Sequence, residues 1–361
     1  MAQATDRHGM IRIFTPSFAD EHDTNAQNLT VKEIVARLNP DQFHVRMFHD
    51  AMPDPRICSR PNTHLLHWQT RGNTIRALGT CLLDIPDVYF YPREGPLDAA
   101  FLKMRRRLRW RTRVVAHVVS GGLDENAPRP TLERNIREAD AVFGNCTYIS
   151  ELVRERTGVQ AQTIHNGIDE RFFFPREMDK RTTAPDGLRV LCAGSFRPYK
   201  RVDLVVRQAA RWPTVQFRIA GRGEEEERCR LLASELGCQN VAFLGHLRPA
   251  ALGEEMRGAD VFFFPSALEG HPQVLGQAAA CGLPVVARNR YRPDYVVHQR
   301  TGMLAGSDDE LGCFLDQCLQ QPEIRKRMSA AAIAHARQFS WEAASAHWEQ
   351  AFYSVMALEN K

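Results

Sequence analysis

The stretch Ala259-Asp260-Val261-Phe262-Phe263-Phe264-Pro265-Ser266-Ala267-Leu268-Glu269-Gly270-His271-Pro272-Gln273-Val274-Leu275-Gly276-Gln277-Ala278, running on to Cys281-Gly282-Leu283-Pro284-Val285-Val286-Ala287, decides the fold. It reads as a buried strand, a loop with one carboxylate, a helix opening at Pro272 and a second buried strand. A helix whose first turn is Pro272-Gln273-Val274 offers backbone N–H groups with no intrahelical acceptor and a partial positive charge, so it suits a phosphate without a basic side chain. Glu269 precedes that end, and Gln277 lies about 7–8 Å further along the axis. A diphosphate at the helix mouth, with polyhydroxylated groups near Glu269 and Gln277, has the shape of a nucleotide sugar. A capped helix with a surface glutamate fits the local pattern equally well.

Outward from this unit, short apolar runs alternate with segments of helical period. Strands are predicted at 10–15, 43–48, 63–68, 87–91, 113–119, 141–145 and 161–165, with helices from 25 to 38, from 97 and from 150. Residues 175–187 are polar and twice interrupted by proline, which suits a linker. A second series follows, with strands at 188–193, 215–220, 241–244, 261–264 and 284–287, helices between them, and helical pattern from 309 to the end. The expectation is an α/β fold with two doubly wound Rossmann-like domains, 1–180 and 187–339, facing a central cleft at the C-terminal ends of their strands.

A chain of 361 residues, 43% hydrophobic and 25% charged, is long enough for two such cores. Its net charge of +4 is too small to argue for nucleic acid. Cysteines 58, 81, 146, 192, 229, 238, 281, 313 and 318 form no Cys-x-x-Cys pair, which reads as reduced thiols in a cytoplasmic protein. Residues 1–9 have no apolar core and no run approaches membrane-spanning length, so neither a secretory leader nor a transmembrane helix is expected.

The donor-side stretch resembles the motif of family 4 retaining glycosyltransferases of the GT-B fold, in which a glutamate, seven residues and a second glutamate precede a small-residue helix and Gly-Leu-Pro-Val-Val. The likeness extends to His165-Asn166-Gly167-Ile168-Asp169 with Phe172, to Leu191-Cys192-Ala193-Gly194-Ser195-Phe196-Arg197-Pro198-Tyr199-Lys200, to Ile219-Ala220-Gly221-Arg222-Gly223, to Val241-Ala242-Phe243-Leu244-Gly245 and to Thr301-Gly302-Met303-Leu304. Two positions depart from the pattern. Gln277 replaces the second glutamate, turning a charge-assisted bond to ribose into a neutral one roughly half as strong. Ser195 stands where the family often has arginine.

The resemblance implies that Glu269 faces the transferred sugar, that Lys200 with Arg197 stabilises the diphosphate, and that Gln277 meets the ribose. Gly221, Gly245 and Leu247 are expected around the nucleotide, and Gly270, His271, Val274 and Leu275 complete the donor side. His117 matches loosely the family histidine on the acceptor side, with His64 and His67 as rivals and a core histidine as the plain alternative. Asn25 and Asn28 are acceptor-side candidates, although Asn25 serves equally as an N-cap. The last helix, about 340–361, is expected to return to the first domain. Neither Asp-x-Asp nor a histidine cluster argues for a metal, so no cofactor is expected. Gly221-Arg222-Gly223 is followed by Glu226 and further glutamates, which disfavours a dinucleotide site.

The expected function is metal-independent, retaining transfer of a hexose-type sugar from a UDP- or GDP-linked donor to a glycan, lipid-linked or small hydroxyl acceptor. A catalytically impaired sugar-nucleotide-binding relative and a sugar-nucleotide epimerase are the alternatives. Arg105, Arg106, Arg107, Arg109, Arg111 and Arg113 crowd a helix end beside Leu108 and Trp110. Such a segment reads as a solvated face, a peripheral contact with anionic lipid on the inner membrane side, or a hold on a phosphorylated acceptor.

Overall fold

A computed structural model describes residues 9–21, 25–68, 72–90, 94–119, 129–176 and 187–358. The chain divides into two compact units, Met1–Asn166 with Trp341–Lys361, and Gly167–Ser340. Residues 167–176, expected in the first domain, group with the second. The N–H of Ile168 bonds the Phe339 carbonyl at 2.7 Å, and Arg257 donates to the Phe172 carbonyl at 2.8 Å. The expected linker residues 177–186 lie outside the described residues.

The first unit holds β1 (Ile11–Phe18), β2 (Phe43–His49), β3 (Thr63–His67), β4 (Val88–Phe90), β5 (Arg113–Val118), β6 (Ala141–Gly144) and β7 (Gln162–Thr163). They form one parallel sheet in the order β3-β2-β1-β4-β5-β6-β7. The central strand β4, Val88-Tyr89-Phe90, is buried throughout. A strand covered on both faces needs a continuous apolar run, and valine and aromatics fit its pleat. On one face Tyr89 stacks on Phe101 of the helix Pro96–Leu108 at 4.0 Å and 19°. The helix Trp341–Met356 also belongs to this unit, with Trp348 5.0 Å from Phe90 and 5.1 Å from Phe143. Trp348 is 1% exposed, so its truncation to alanine would cost about 3–5 kcal/mol.

The second unit holds β8 (Arg189–Ala193), β9 (Gln216–Ala220), β10 (Val241–Gly245), β11 (Val261–Phe264), β12 (Val285–Arg288) and β13 (Gly302–Ala305). Their parallel order is β10-β9-β8-β11-β12-β13. Chain direction across the sheet reverses between β8 and β11. At such a switch point the flanking loops part, opening a crevice beyond the strand ends. All nine cysteines are free thiols. Among the described residues no helix is long and apolar enough to cross a membrane.

Candidate active site

The loops leaving β8 and β9 are sewn together. Gly194 donates to the Ala220 carbonyl at 3.0 Å, Phe196 to that of Arg222 at 2.8 Å, and Gly221 to that of Gly245 at 2.7 Å. This seam requires glycine at two positions. Gly221 has φ +138°, and a Cβ there would fall 1.8 Å from the Gly194 carbonyl oxygen. Gly223 has φ +154°, with a Cβ position 2.6 Å from the Phe196 oxygen. Only a residue without a side chain allows both the dihedral and the approach.

Beside the seam, at the ends of β8, β9 and β11, lies a cavity of about 550 Å³. Its walls include Gly194, Ser195, Gly221, Arg222, His246 and Leu247 from the loops, and Pro272, Gln273, Val274 and Gln277 from the helix side. The helix itself runs Gln273–Ala280, and Pro272 is its cap residue rather than its first helical one. The first-turn amides of Gln273 and Val274 have no intrahelical acceptor by geometry, and both residues face the cavity. A helix start of this kind stabilises an anion.

Lys200 and Glu269 meet in the same cavity. Lys200 Nζ hydrogen-bonds Glu269 Oε1, and Ser266 Oγ donates to that oxygen at 2.6 Å. The lysine and glutamate side chains are 15% and 12% exposed, so the pair is largely screened from water. The lysine nitrogen also sits 5.3 Å from the Phe264 ring centroid and 5.5 Å from that of Tyr199, a setting that favours a cation. Burial, with Glu269 as the next influence, pushes the Tyr291 phenol well above its ordinary value and keeps it protonated.

Of the donor-side candidates, Lys200, Gly221, Leu247, Glu269, Val274 and Gln277 border this one cavity. Five others are placed elsewhere. Arg197 turns outward, 57% exposed, towards Glu224 at 3.5 Å. The cation that borders the cavity in its place is Arg222, which also approaches Glu226 at 3.6 Å. His271 is buried and stacks on Tyr295 at 4.0 Å and 17°, and Leu275 is wholly buried in the core side of its helix. Gly245 supplies the carbonyl that holds Gly221, and Gly270 adjoins Glu269 without bordering the cavity.

The acceptor-side candidates lie in the first unit and have local work. Asn25 caps the helix Ala26–Val35, accepting from the amides of Gln27 and Asn28 at 3.0 and 3.3 Å. Asn28 is buried and accepts from the Phe18 amide at 3.1 Å. His117 is 3% exposed in β5, edge-on to Trp348 at 4.8 Å. Desolvation pulls its pKa down to about 3, so the ring is neutral at ordinary pH. Its rivals His64 and His67 sit on the edge strand β3. The residues that follow His117's strand, 120–122, lie outside the described residues.

Sequence reasoning missed Arg222 as a cavity cation and Ser266 as the donor that orients Glu269. The signal for Ser266 was present: it follows the Phe264-Pro265 strand end and precedes Glu269 by three residues, the spacing of one turn. Among the described residues no group of three histidine, cysteine or acidic side chains is arranged to hold a metal.

Residues 174–335 match the family described as glycosyl transferases group 1. Over 241 residues the chain is 29% identical to the GDP-mannose-dependent monoacylated alpha-(1-6)-phosphatidylinositol monomannoside mannosyltransferase of Corynebacterium glutamicum, covering 59% of this chain and 63% of that protein. Over 270 residues it is 30% identical to the D-inositol 3-phosphate glycosyltransferase of Streptomyces scabiei, covering 64% and 59%. The chain therefore spans less than two thirds of the length of these relatives. Its fold superimposes on that of Anabaena HepE, solved in complex with UDP-glucose, with a TM-score of 0.73 at 18% identity, covering 96% of this chain and all of the other. Residues 174–335, all within the second unit, thus match the glycosyl transferases group 1 family, and the two parallel α/β units together have the GT-B fold of the solved neighbours.

Proposed function

We propose that the chain transfers a hexose-type sugar from a UDP- or GDP-linked donor to a hydroxyl acceptor, with retention at the anomeric carbon and without a metal ion. The observation that carries this reading is the meeting of Glu269 with Lys200 in one cavity that the first turn of the helix Gln273–Ala280 and Gln277 also border. Further support comes from the GDP-mannose in the name of one relative and the UDP-glucose bound to a structural neighbour.

In this reading the first-turn amides and Lys200 hold the diphosphate, Arg222 adds a second cation, Gln277 meets the ribose, and Glu269 orients the sugar. The acceptor oxygen bonds to the anomeric carbon on the face from which the phosphate leaves. As the bond from carbon to phosphate oxygen breaks, the acceptor proton passes to that oxygen and a nucleoside diphosphate departs. Charge growing on the diphosphate is met by groups already in place, which lowers the barrier without reorganisation. The relatives' names make an inositol-phosphate or lipid-linked acceptor the favoured class, in glycan, glycolipid or surface polysaccharide synthesis, at the cytoplasmic face of a membrane. The basic helix end Arg105–Arg113 is the proposed membrane contact.

Thermal shift with UDP-, GDP- and ADP-sugars, followed by transfer assays with and without a chelator, tests the reading. A donor held far above its dissociation constant raises the melting temperature. Transfer that survives chelation and disappears in Glu269→Ala is the expected result. Chelator-sensitive transfer would remove the metal-independent part, and conversion of the donor alone would favour an epimerase. Gln277 and Ser195 give a specific reason for the impaired-relative reading. Donor binding with no turnover in the wild type, and a large gain in affinity in Gln277→Glu, would establish it.

A further inference from the structure

The six arginines of the basic segment separate into two groups. Arg105 pairs with Asp140 at 2.6 Å, Arg106 with Glu138 at 3.1 Å, and Arg113 with Asp140 at 3.8 Å. These three are internal braces. Arg107, Arg109 and Arg111 are exposed and make no ion pair among the described residues. The acids of the adjoining segment 84–87 are already engaged, since Arg12 holds Asp84 at 2.7 Å and Asp87 at 2.8 Å. Positive charge at this edge is left uncompensated.

Apolar side chains stand next to that charge. Thr112 Oγ1 donates to the Pro86 carbonyl at 2.7 Å, and the Arg113 amide to that of Asp87 at 2.8 Å. These bonds tie the end of the helix Pro96–Leu108 to the end of the helix Asn73–Leu83, so Arg111 and Ile85 flank one hydrogen bond. Leu83 is 92% exposed, Leu108 51% and Ile85 38%. A polyanion such as nucleic acid would reward the arginines alone. Large aliphatic groups projecting beside guanidinium groups match the bilayer interface, where both are satisfied at once.

We infer that this edge of the first unit docks on an anionic lipid bilayer, with Arg107, Arg109 and Arg111 meeting headgroup phosphates and Leu83, Ile85 and Leu108 entering the interface. The inference rests on the membrane contact proposed above, narrows its arginines from six to three and adds the apolar anchors. It is independent of sugar transfer.

The test is co-sedimentation of the full chain with vesicles of phosphatidylcholine alone and of phosphatidylcholine with an equal part of phosphatidylglycerol. The wild type should sediment with the mixed vesicles and not with the neutral ones. Replacing Arg107, Arg109 and Arg111 by glutamine together should reduce partitioning about a hundredfold. Leu83→Ser with Ile85→Ser should reduce it about tenfold. Equal binding to neutral vesicles, wild-type partitioning of either variant, or an equal loss in a Lys326→Gln, Arg327→Gln control would overturn the inference. Sensitivity to the arginines with no effect of the serines would assign the edge to an acidic macromolecule and overturn it too. Thermal shift with nucleotide sugars, run on the same samples, separates the readings: lost sedimentation with intact donor binding defeats the docking edge alone.

Discussion

Lys200 Nζ and Ser266 Oγ converge on the same oxygen of Glu269, Oε1, with the serine at 2.6 Å. Oε2 is the oxygen without a protein donor among the described residues, and it is the one left to meet a ligand hydroxyl. The lysine's charge is meanwhile matched by the carboxylate. A diphosphate entering the cavity must therefore compete with Glu269 for Lys200.

That competition makes Glu269→Gln informative. The amide keeps the shape and the serine bond but gives up the charge, so Lys200 is released towards a diphosphate. UDP or GDP alone should bind the variant about tenfold more tightly, because a charge-assisted partner no longer competes. Sugar transfer should fall at least a hundredfold. Calorimetric titration of the nucleotide beside a transfer assay reads both, and a parallel loss of nucleotide affinity would show that the carboxylate does not restrain the lysine.

The two arginines near the site separate cleanly. Arg222 borders the cavity, whereas Arg197 points to Glu224 with more than half its side chain in water. Arg222→Ala should weaken nucleotide-sugar binding about fivefold, the worth of one solvent-facing charge contact to phosphate. Arg197→Ala should change it less than twofold. Dissociation constants for both variants at fixed ionic strength decide the assignment, and the reverse ranking would restore the cation read from the sequence.

The contrast between these arginines shows where the sequence was legible. The strands β4 and β11 were plain because a run buried on both faces must be apolar throughout, as Val261-Phe262-Phe263-Phe264 is. The helix Asn73–Leu83 escaped because it buries only Ala77 and Cys81, too thin a stripe to register as a period. Glu269, Lys200 and Gln277 border one cavity, and motif spacing along one loop and one helix is the sequence signal that groups them. Arg197 points away from the cavity, and a position in a loop says nothing of side-chain direction. The direction follows from Phe196, 1% exposed, whose backbone is pinned to Arg222 and Glu225. His271 read as a donor-side residue by adjacency to Glu269, while the stacking on Tyr295 that claims it comes from a residue twenty-four positions away.

Gly221 should be the least replaceable glycine in the second unit's seam. Alanine there adds a disfavoured dihedral to a Cβ 1.8 Å from a backbone oxygen, and that oxygen is not a flexible side-chain end. The expected loss is roughly 3 kcal/mol or more, with loss of nucleotide binding as β8 and β9 part. Gly237, at φ +65° with nothing near its Cβ position, should lose only about 1 kcal/mol as alanine. Urea denaturation of both variants tests the pair, and equal losses would mean that strain rather than the close approach sets the requirement.

His117 provides a pH signature for the first unit. Burial takes its folded pKa down to about 3, below an unfolded value of about 6.5, so between those values the unfolded chain binds the proton and the folded chain does not. Stability should therefore fall as pH drops below about 6.5, with a contribution from this group approaching about 1.4 kcal/mol per pH unit. Carboxylates lose their contributions lower down. Glu33, although burial raises its pKa, is held below the usual range by Arg56 and Arg37, and Asp54 behaves likewise through Arg56 and Lys32. The interval from pH 6.5 to about 5 thus belongs to histidines; His44, lowered by burial and by Arg46, contributes there too, but equally in wild type and variant, so the difference between them isolates His117. Melting curves of the wild type and His117→Gln across that interval should show a shallower slope in the variant, whatever its absolute stability. Identical slopes would mean that the imidazole takes up its proton in the folded protein as it does in the unfolded chain, and would return His117 to the acceptor-side candidates.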